Sequence, residues 1–591
     1  MAEYVAPLRD MRFALTHLAG LKELLALPAF GEVTPDLADA VLEEAAKFAG
    51  GVLSPLNGSG DQEGATLTDE GVVAANGFAA AYKQFAENGW ASISGDTNYG
   101  GQGLPNLLGT AAQEMWNSAN MAFALNPMLT TGAVEALRAH GADALKEAYL
   151  PNMIAGTWTG TMNLTEPQAG SDLAAVRAKA VPEGDHYLIS GQKIFITWGD
   201  HDVAENIIHL VLARLPDAPE GTRGISLFLV PKFLVNADGS LGARNDAVCA
   251  SLEHKLGIHA SPTCVMAFGE KGGAIGYLVG EPNRGLNHMF TMMNEARQKV
   301  GVQGMAIAER AYQAARDYAR DRVQGRVIGH PGTQPILQHP DVKRMLLTMK
   351  SQIEAMRALA YVVAADVDYA HHHPDEAERA RYQARVELLT PVLKAWCTEL
   401  GVEIASLGVQ VHGGMGFIEE TGAAQHLRDS RIAPIYEGTT GIQAADLIAR
   451  KLPAHNGAAM ISLITEIRAA AAASGRHESA EFKAIAGNLA VAAEALEKST
   501  VWVLDNWASN PGAALAASVN YLMLVGYVAG GWQMARAALA AAASETHDDF
   551  LRGKITTAAF YAEQILPKAT ALSAIVHGGS SFMEHLAVEQ F

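Results

Sequence analysis

The chain has 591 residues, of which 49% are hydrophobic and 18% charged, with a formal net charge of −19. That length exceeds what one hydrophobic core supports, so roughly three or four domains are expected, and the composition is that of a packed globular protein. The acidic balance excludes broad salt-driven binding to nucleic acid or to an anionic membrane surface, and a polyanionic ligand would need a local basic pocket.

The chain begins MAEYVAPLRDMRF, with acidic residues at once and no apolar core. This is unlike a secretory signal or a transit peptide, and a cytoplasmic protein is expected. Residues 1–157 read as helical, with apolar side chains at helical spacing over 37–48, 72–88, 110–123 and 131–139. From 158 to 280 the texture changes: short β-branched and aromatic runs at 176–181, 186–190, 193–197, 206–212 and 224–230 are separated by turns, including one at Ser190-Gly191. Such close spacing without intervening helices predicts an antiparallel sheet or barrel. Long helical segments return over 281–452, at 290–323, 342–370 and 376–407, enough for an antiparallel bundle.

His371-His372-His373-Pro374 falls between two of these helices. Consecutive histidines cannot share one helix face and the proline stops the helix, so a loop and no metal site are expected. Residues 453–591 form a further alanine-rich helical domain, expected to dock as a structural part. Its most apolar stretch, 521–535, carries Gly526, Gly530, Gly531 and Gln533 and is too short for a membrane span, which predicts a buried bundle helix. Cys249, Cys264 and Cys397 form no CxxC pair and read as buried thiols in a reducing compartment.

No phosphate loop, strand-linked G-x-G-x-x-G, H-E-x-x-H helix or nucleophile elbow is present, so P-loop, Rossmann, zinc-helix and serine-esterase chemistry are not indicated. Three other stretches carry the chemistry. In Ile435-Tyr436-Glu437-Gly438-Thr439-Thr440-Gly441-Ile442-Gln443 a carboxylate precedes a helix over 442–452, with Thr439 and Thr440 offering capping hydroxyls. Alone, this is also what a capped helix with a solvated glutamate looks like. About 270 residues upstream lies Leu164-Thr165-Glu166-Pro167-Gln168-Ala169-Gly170-Ser171-Asp172, followed by Lys193-Ile194-Phe195-Ile196-Thr197.

In this order and spacing the three stretches resemble the acyl-CoA dehydrogenase flavoprotein family over about residues 40–452. The resemblance implies a mainly α fold with a central antiparallel β domain: a helical domain (1–157), a β domain (158–280), a helical bundle carrying the catalytic glutamate (281–452) and an additional helical domain (453–591). It implies FAD held between the β domain and the bundle. Leu164 and Thr165 match the segment at the flavin pyrimidine edge, Phe195 an aromatic position against the ring, and Thr197 the hydroxyl at flavin N5. Arg322, Gln410, Gly414 and Thr439 match flavin-diphosphate contacts, the first three serving a neighbouring subunit's flavin, hence a homodimer or dimer of dimers. Ser171, Arg297 and Gly438 match substrate positions.

Two departures from the family pattern are visible. Arg322-Val323-Gln324-Gly325-Arg326 stands where R-x-x-F-G is usual, and Gly441 stands where many relatives have glutamine.

Glu437 matches the base that removes the α-proton of an acyl-CoA thioester. That proton is a very weak acid, so the family hydrogen-bonds the thioester carbonyl from a backbone N–H and a flavin hydroxyl, and excludes water around the carboxylate. The β-hydride passes to the flavin, giving the trans-2-enoyl-CoA, and electron-transfer flavoprotein is the expected acceptor, as in fatty acid β-oxidation. Ala296 occupies the alternative base position of some branches, and Glu295 is the runner-up. The leading Tyr4-Val5-Ala6-Pro7-Leu8-Arg9-Asp10 and the last domain resemble the larger bacterial members, so 3-methylmercaptopropionyl-CoA and fatty acyl-CoAs are the candidate substrates. An acyl-CoA oxidase and a non-catalytic, nucleic-acid-associated flavin-binding relative are the alternatives. The latter predicts a basic last domain, which this chain lacks.

Overall fold

The computed structural model describes residues 3–591 apart from 330, 547 and 581. Two compact units emerge: residues 47–104 with 115–299, and residues 1–46, 105–114 and 300–591.

The first unit is built on an eight-stranded sheet. Its central strand is His186–Thr197, flanked by Thr263–Phe268 and Ala274–Leu278. The run read as two strands with a turn at Ser190-Gly191 is therefore one strand. Gly191 stays in it at φ 141°, where a Cβ would lie 2.9 Å from that of Ala178; glycine here marks a close approach of neighbouring strands. The pairing is antiparallel except between Trp158–Asn163 and Asn206–Arg214, which run parallel, with one further parallel bridge from Lys179 to Arg214. The sheet is thus mixed. One face buries Ile189, Ile196, Val211, Phe228, Val230, Cys264, Met266 and Phe268, the inward half of the alternation visible in the sequence. Helices Phe78–Glu87, Met121–His140 and Asp143–Ala155 complete the unit. A small hairpin, Thr66–Thr68 with Gly71–Val73, takes the start of the predicted 72–88 helix, which begins instead at Phe78 after Gly77 in the left-handed region.

In the second unit, helices Pro340–His372 and Glu376–His412 pack with the C-terminal part of Gly285–Asp321. Gly304 and Gly401 let two of these backbones approach, since a Cβ on Gly304 would sit 2.4 Å from the Cys397 carbonyl oxygen. His371 and His372 end their helix rather than forming a loop, and only His373 caps it. Among the described residues no group of histidine, cysteine and carboxylate side chains is placed to hold a metal.

The additional C-terminal helices are Ala458–Ser474, Ala480–Ser509, Pro511–Ala543, Asp549–Gln564 and Pro567–Gly578. Pro511–Ala543 is the one described helix long and apolar enough to cross a membrane, and 67% of its apolar window is buried inside the protein. Gly526 and Gly530 face the ring of Trp396, where a Cβ would come within 2.3 Å and 2.7 Å of ring atoms. The small residues read as allowing close helix approach thus make room for one large indole.

Candidate active site

In the sheet unit, the loop after Trp158–Asn163 lies along the central strand. The Thr165 carbonyl accepts from the Ile194 N–H at 2.9 Å, and the Leu164 carbonyl accepts from Lys193 Nζ at 3.0 Å. Glu166 and Ala169 exchange backbone hydrogen bonds of 2.9 Å, closing a tight turn. The Glu166 carboxylate then accepts from Lys193 Nζ (2.8 Å), Gln168 Nε2 (2.6 Å) and the N–H groups of Arg177 (2.7 Å) and Ala178 (3.0 Å).

Burial pushes the Glu166 carboxyl up, but the Lys193 charge and these donors outweigh it and hold it below the ordinary range. Burial lowers Lys193 to about 8, the Glu166 charge resisting. Both are charged at neutral pH, and the pair fastens the loop from both ends. Lys193→Met leaves the Glu166 carboxylate buried without its cation, and the expected loss is about 3 kcal/mol, read by denaturant unfolding of the cofactor-free protein.

The strand bulges where this loop meets it. Cys264 pairs with Ile196 and Met266 with Lys193, so Val265 alone on one strand faces both Ile194 and Phe195 on the other. The extra residue is accommodated with Phe195 at φ 61°, in the left-handed region, and the residue is 58% exposed. A bulge re-aims a side chain in this way, and a large aromatic in that conformation is a strained, non-random choice. Thr197 follows, half-buried and opposite Thr263. Neither the Thr165 nor the Thr197 hydroxyl is engaged by another described residue. An exposed aromatic face with two unengaged hydroxyls and a pinned backbone loop fits a flat heteroaromatic ring with a hydrogen-bonding edge. Ser171 lies exposed farther along the same loop. Phe195→Gly relieves about 1 kcal/mol of backbone strain, which offsets glycine's entropy. The variant should therefore unfold at the parent temperature, and if the ring bound there is the flavin that the sequence resemblance implies, it should retain that flavin poorly on gel filtration.

In the other unit, Glu437 has φ 57° and Gly438 φ 90°, so two successive residues are left-handed. The buried Gln443 amide holds this turn, donating to the carbonyls of Glu437 (3.1 Å) and Gly438 (3.3 Å). The Tyr436 hydroxyl donates to Gln303 Oε1 from the long helix, and burial pushes that phenol well up, the Glu437 charge adding to it. Thr439 caps helix Thr440–Asp446, its Oγ1 accepting from the Ile442 N–H at 3.3 Å. Thr440 does not cap: its hydroxyl donates to Glu399 Oε1 at 2.6 Å. Two buried polar atoms beside this turn, Gln303 Nε2 and Gln443 Oε1, have no partner among the described residues. Glu437 is thus raised on a rigid, half-buried turn.

The remaining predicted residues are placed as follows. Arg297 is buried, its guanidinium 6.0 Å from the Phe290 ring. Arg322 is exposed just past helix Gly285–Asp321, and its carbonyl accepts from the Ile336 N–H at 2.7 Å. The unusual residues after it, Val323–Arg326, form a strand with Thr333–Pro335. Gln410 is exposed on the last turn of Glu376–His412. Gly414 lies in open space, where a Cβ would meet nothing within 4 Å. Leu164, Thr165, Phe195 and Thr197 are brought together in the sheet unit. Arg322, Gln410, Gly414, Glu437, Gly438 and Thr439 belong to the other unit. Glu166, Lys193 and Gln443 lie within the three sequence stretches but are not among the residues that the resemblance assigns. A lysine placed among strand residues, out of step with an apolar alternation, was the available signal for the first two.

Comparison with known proteins accounts for nearly the whole chain. Residues 37–157, 161–270 and 283–452 match the N-terminal, middle and C-terminal domains of acyl-CoA dehydrogenase, and residues 463–586 match the acetyl-CoA dehydrogenase C-terminal like family. The 3-methylmercaptopropionyl-CoA dehydrogenase of Ruegeria pomeroyi is 51% identical over 574 residues, spanning 96% of this chain and 97% of the relative. A butyryl-CoA dehydrogenase of Syntrophomonas wolfei is 36% identical over 95% of each chain. Among solved structures, Caenorhabditis elegans ACDH-11 in complex with C11-CoA shares the fold with a TM-score of 0.77 at 21% identity, over 96% of this chain and 93% of that one. The Bacillus anthracis acyl-CoA dehydrogenase complexed with FAD does so at 0.74 and 20%, over 95% and 91%. The chain belongs to the acyl-CoA dehydrogenase family of flavoprotein oxidoreductases, among the members with added C-terminal helices.

Proposed function

We propose that this enzyme oxidises an acyl-CoA thioester to the trans-2-enoyl-CoA, with Glu437 as the base that takes the α-proton. The observation that carries the reading is the Glu437 turn: a carboxylate on two left-handed residues, locked from below by the buried Gln443 amide. Such a turn keeps the backbone that carries the base in one place between turnovers, and positioning is worth as much as basicity for abstraction from carbon. FAD, when bound, supplies the acceptor for the hydride that leaves Cβ. Phe195, Thr165 and Thr197 hold the ring, with Leu164 fixed by Lys193. Arg322, Gln410, Gly414 and Thr439 take the diphosphate, the first three serving a neighbouring copy in a homodimer or dimer of dimers. Ser171, Arg297 and Gly438 contact the substrate. An arginine suits a phosphate because its planar fork donates in pairs and stays charged.

The substrate we favour is 3-methylmercaptopropionyl-CoA, with straight-chain acyl-CoAs as the second class, since relatives of both names align along the full chain. Electron-transfer flavoprotein is the proposed acceptor, in a cytoplasmic enzyme divided functionally at residues 157, 280 and 452. Steady-state assays over a panel of acyl-CoAs test this. Turnover that requires electron-transfer flavoprotein and consumes no oxygen supports the proposal, whereas turnover driven by oxygen alone makes the protein an oxidase.

A further inference from the structure

Of the three cysteines, which form no CxxC pair in the sequence, the sheet brings two together. Cys249 lies on strand Ala247–Leu252, opposite Met266, and Cys264 lies opposite Leu252 on the neighbouring strand Thr263–Phe268. They are therefore diagonal neighbours on one face. The strand carrying Cys249 bulges between Cys249 and Ser251. Both are free thiols, Cys264 buried and Cys249 only partly covered. Cys264 Sγ accepts from the Asp200 N–H at 3.3 Å, and the Cys249 thiol approaches the Ser251 carbonyl at 3.3 Å. Cys264 is also the residue paired with Ile196, between Phe195 and Thr197.

We propose that Cys249 and Cys264 form an oxidisable dithiol, a modification site for hydroperoxides whose closure as a disulfide displaces the strand that carries Phe195 and Thr197. The effect on the cofactor rests on the flavin reading given above; the bond itself does not. Interaction with the Cys264 thiol lowers Cys249 below the ordinary thiol range against its burial, whereas burial pushes Cys264 well up. The partly exposed sulfur is thus the nucleophile and the buried one the resolving thiol.

The Cys249 thiolate attacks one peroxide oxygen, the O–O bond breaks, and the departing oxygen leaves as hydroxide or alkoxide, giving a sulfenic acid. The Cys264 sulfur then attacks that sulfur, the S–O bond breaks, and the thiol proton leaves with the hydroxyl as water. Two electrons pass from the sulfur pair to one peroxide. Diagonal partners in an antiparallel pair stand about 7–8 Å apart, and a disulfide needs Cα atoms within about 4.4–6.8 Å. Closure therefore has to draw the strands together at the bulge. A strained bridge of this kind is easily reduced, which suits a reversible modification rather than a structural staple.

The test treats FAD-loaded, full-length protein with graded hydrogen peroxide, then unfolds it in N-ethylmaleimide for intact-mass and peptide analysis. The expected result is a fall from three maleimide adducts to one, a peptide linking Cys249 to Cys264, and FAD affinity weakened by on the order of fivefold or more. All three should reverse with dithiothreitol. Cys249→Ser, at the partly exposed position, should abolish the link and the affinity change, while Cys397→Ser should alter neither. Cys249 advancing to sulfinic acid with Cys264 still alkylated overturns the proposal. A reversible link that leaves FAD affinity unchanged overturns the coupling to the strand. Reduced protein that binds no FAD points instead to failure of the flavin reading, because the mass measurement does not depend on the cofactor.

Discussion

Glu437→Gln lowers turnover by about 10²–10⁴-fold, the contribution of a positioned base, and leaves FAD retention and unfolding temperature at parent values. The amide keeps the shape of the carboxylate, and the turn's backbone is held by hydrogen bonds from other side chains. Gln443 holds the carbonyls of residues 437 and 438, Thr439 caps the next helix, and Tyr436 is tied to Gln303. The amide cannot accept the proton, so kcat should fall far more than KM rises. Turnover with Glu437→Gln within a few-fold of the parent would move the base elsewhere, with Glu295 the next to test.

The second large effect concerns how the chain's two ends are fastened to the helical bundle. Arg357, 2% exposed, donates to Glu114 Oε1 through Nε (2.8 Å) and Nη2 (2.6 Å), to Glu309 Oε2 (2.8 Å) and to Asp10 Oδ2 (2.5 Å). Tyr361 donates to the other Glu114 oxygen at 2.5 Å. Asp10, from the leading helix Leu8–His17, also meets Lys554 from the added helix Asp549–Gln564, and Lys554 reaches Glu354 at 3.0 Å. Burial alone would lower the Arg357 guanidinium, but the surrounding carboxylates hold it well above its ordinary value. Burial likewise raises Asp10, and Lys554 and Arg357 overcome this and hold it low.

Arg357→Met leaves the buried Glu114 and Glu309 and the partly buried Asp10 short of a cation, and the expected cost is about 5 kcal/mol. A chain of several domains need not unfold in one step, so hydrogen exchange is the better measurement. Protection should fall first in Leu8–His17 and Asp549–Gln564. Arg381→Met, at a solvent-exposed pair with Glu378, should change stability by less than about 0.5 kcal/mol.

Local chemistry was legible in the sequence and long-range pairing was not. The Thr439 cap, the bundle helices and the burial of 521–535 follow from patterns within a few residues of each other. Gly191 was misread as a turn because a glycine that admits a close strand neighbour looks the same in one dimension as one that reverses the chain. The bulge under Phe195 depends on the register of a strand about 70 residues away. The Glu166–Lys193 pair spans 27 positions and the Arg357 cluster hundreds. The parallel pair in the sheet was equally hidden, since periodicity within a strand carries nothing about the direction of its neighbour. The hairpin at Thr66–Val73 escaped because Val72 and Val73 stand directly before an apolar helical run, although at six and five residues ahead of Phe78 they are out of phase with it.

The measurement that bears most directly on the account is anaerobic titration of the FAD-loaded protein with 3-methylmercaptopropionyl-CoA and butyryl-CoA, following oxidised-flavin absorbance in the parent and in Glu437→Gln. With Glu437 as the base, at least one of the two bleaches the parent stoichiometrically and neither bleaches the variant over the same time. Bound flavin that neither thioester bleaches, or equal bleaching of both proteins, would contradict the account.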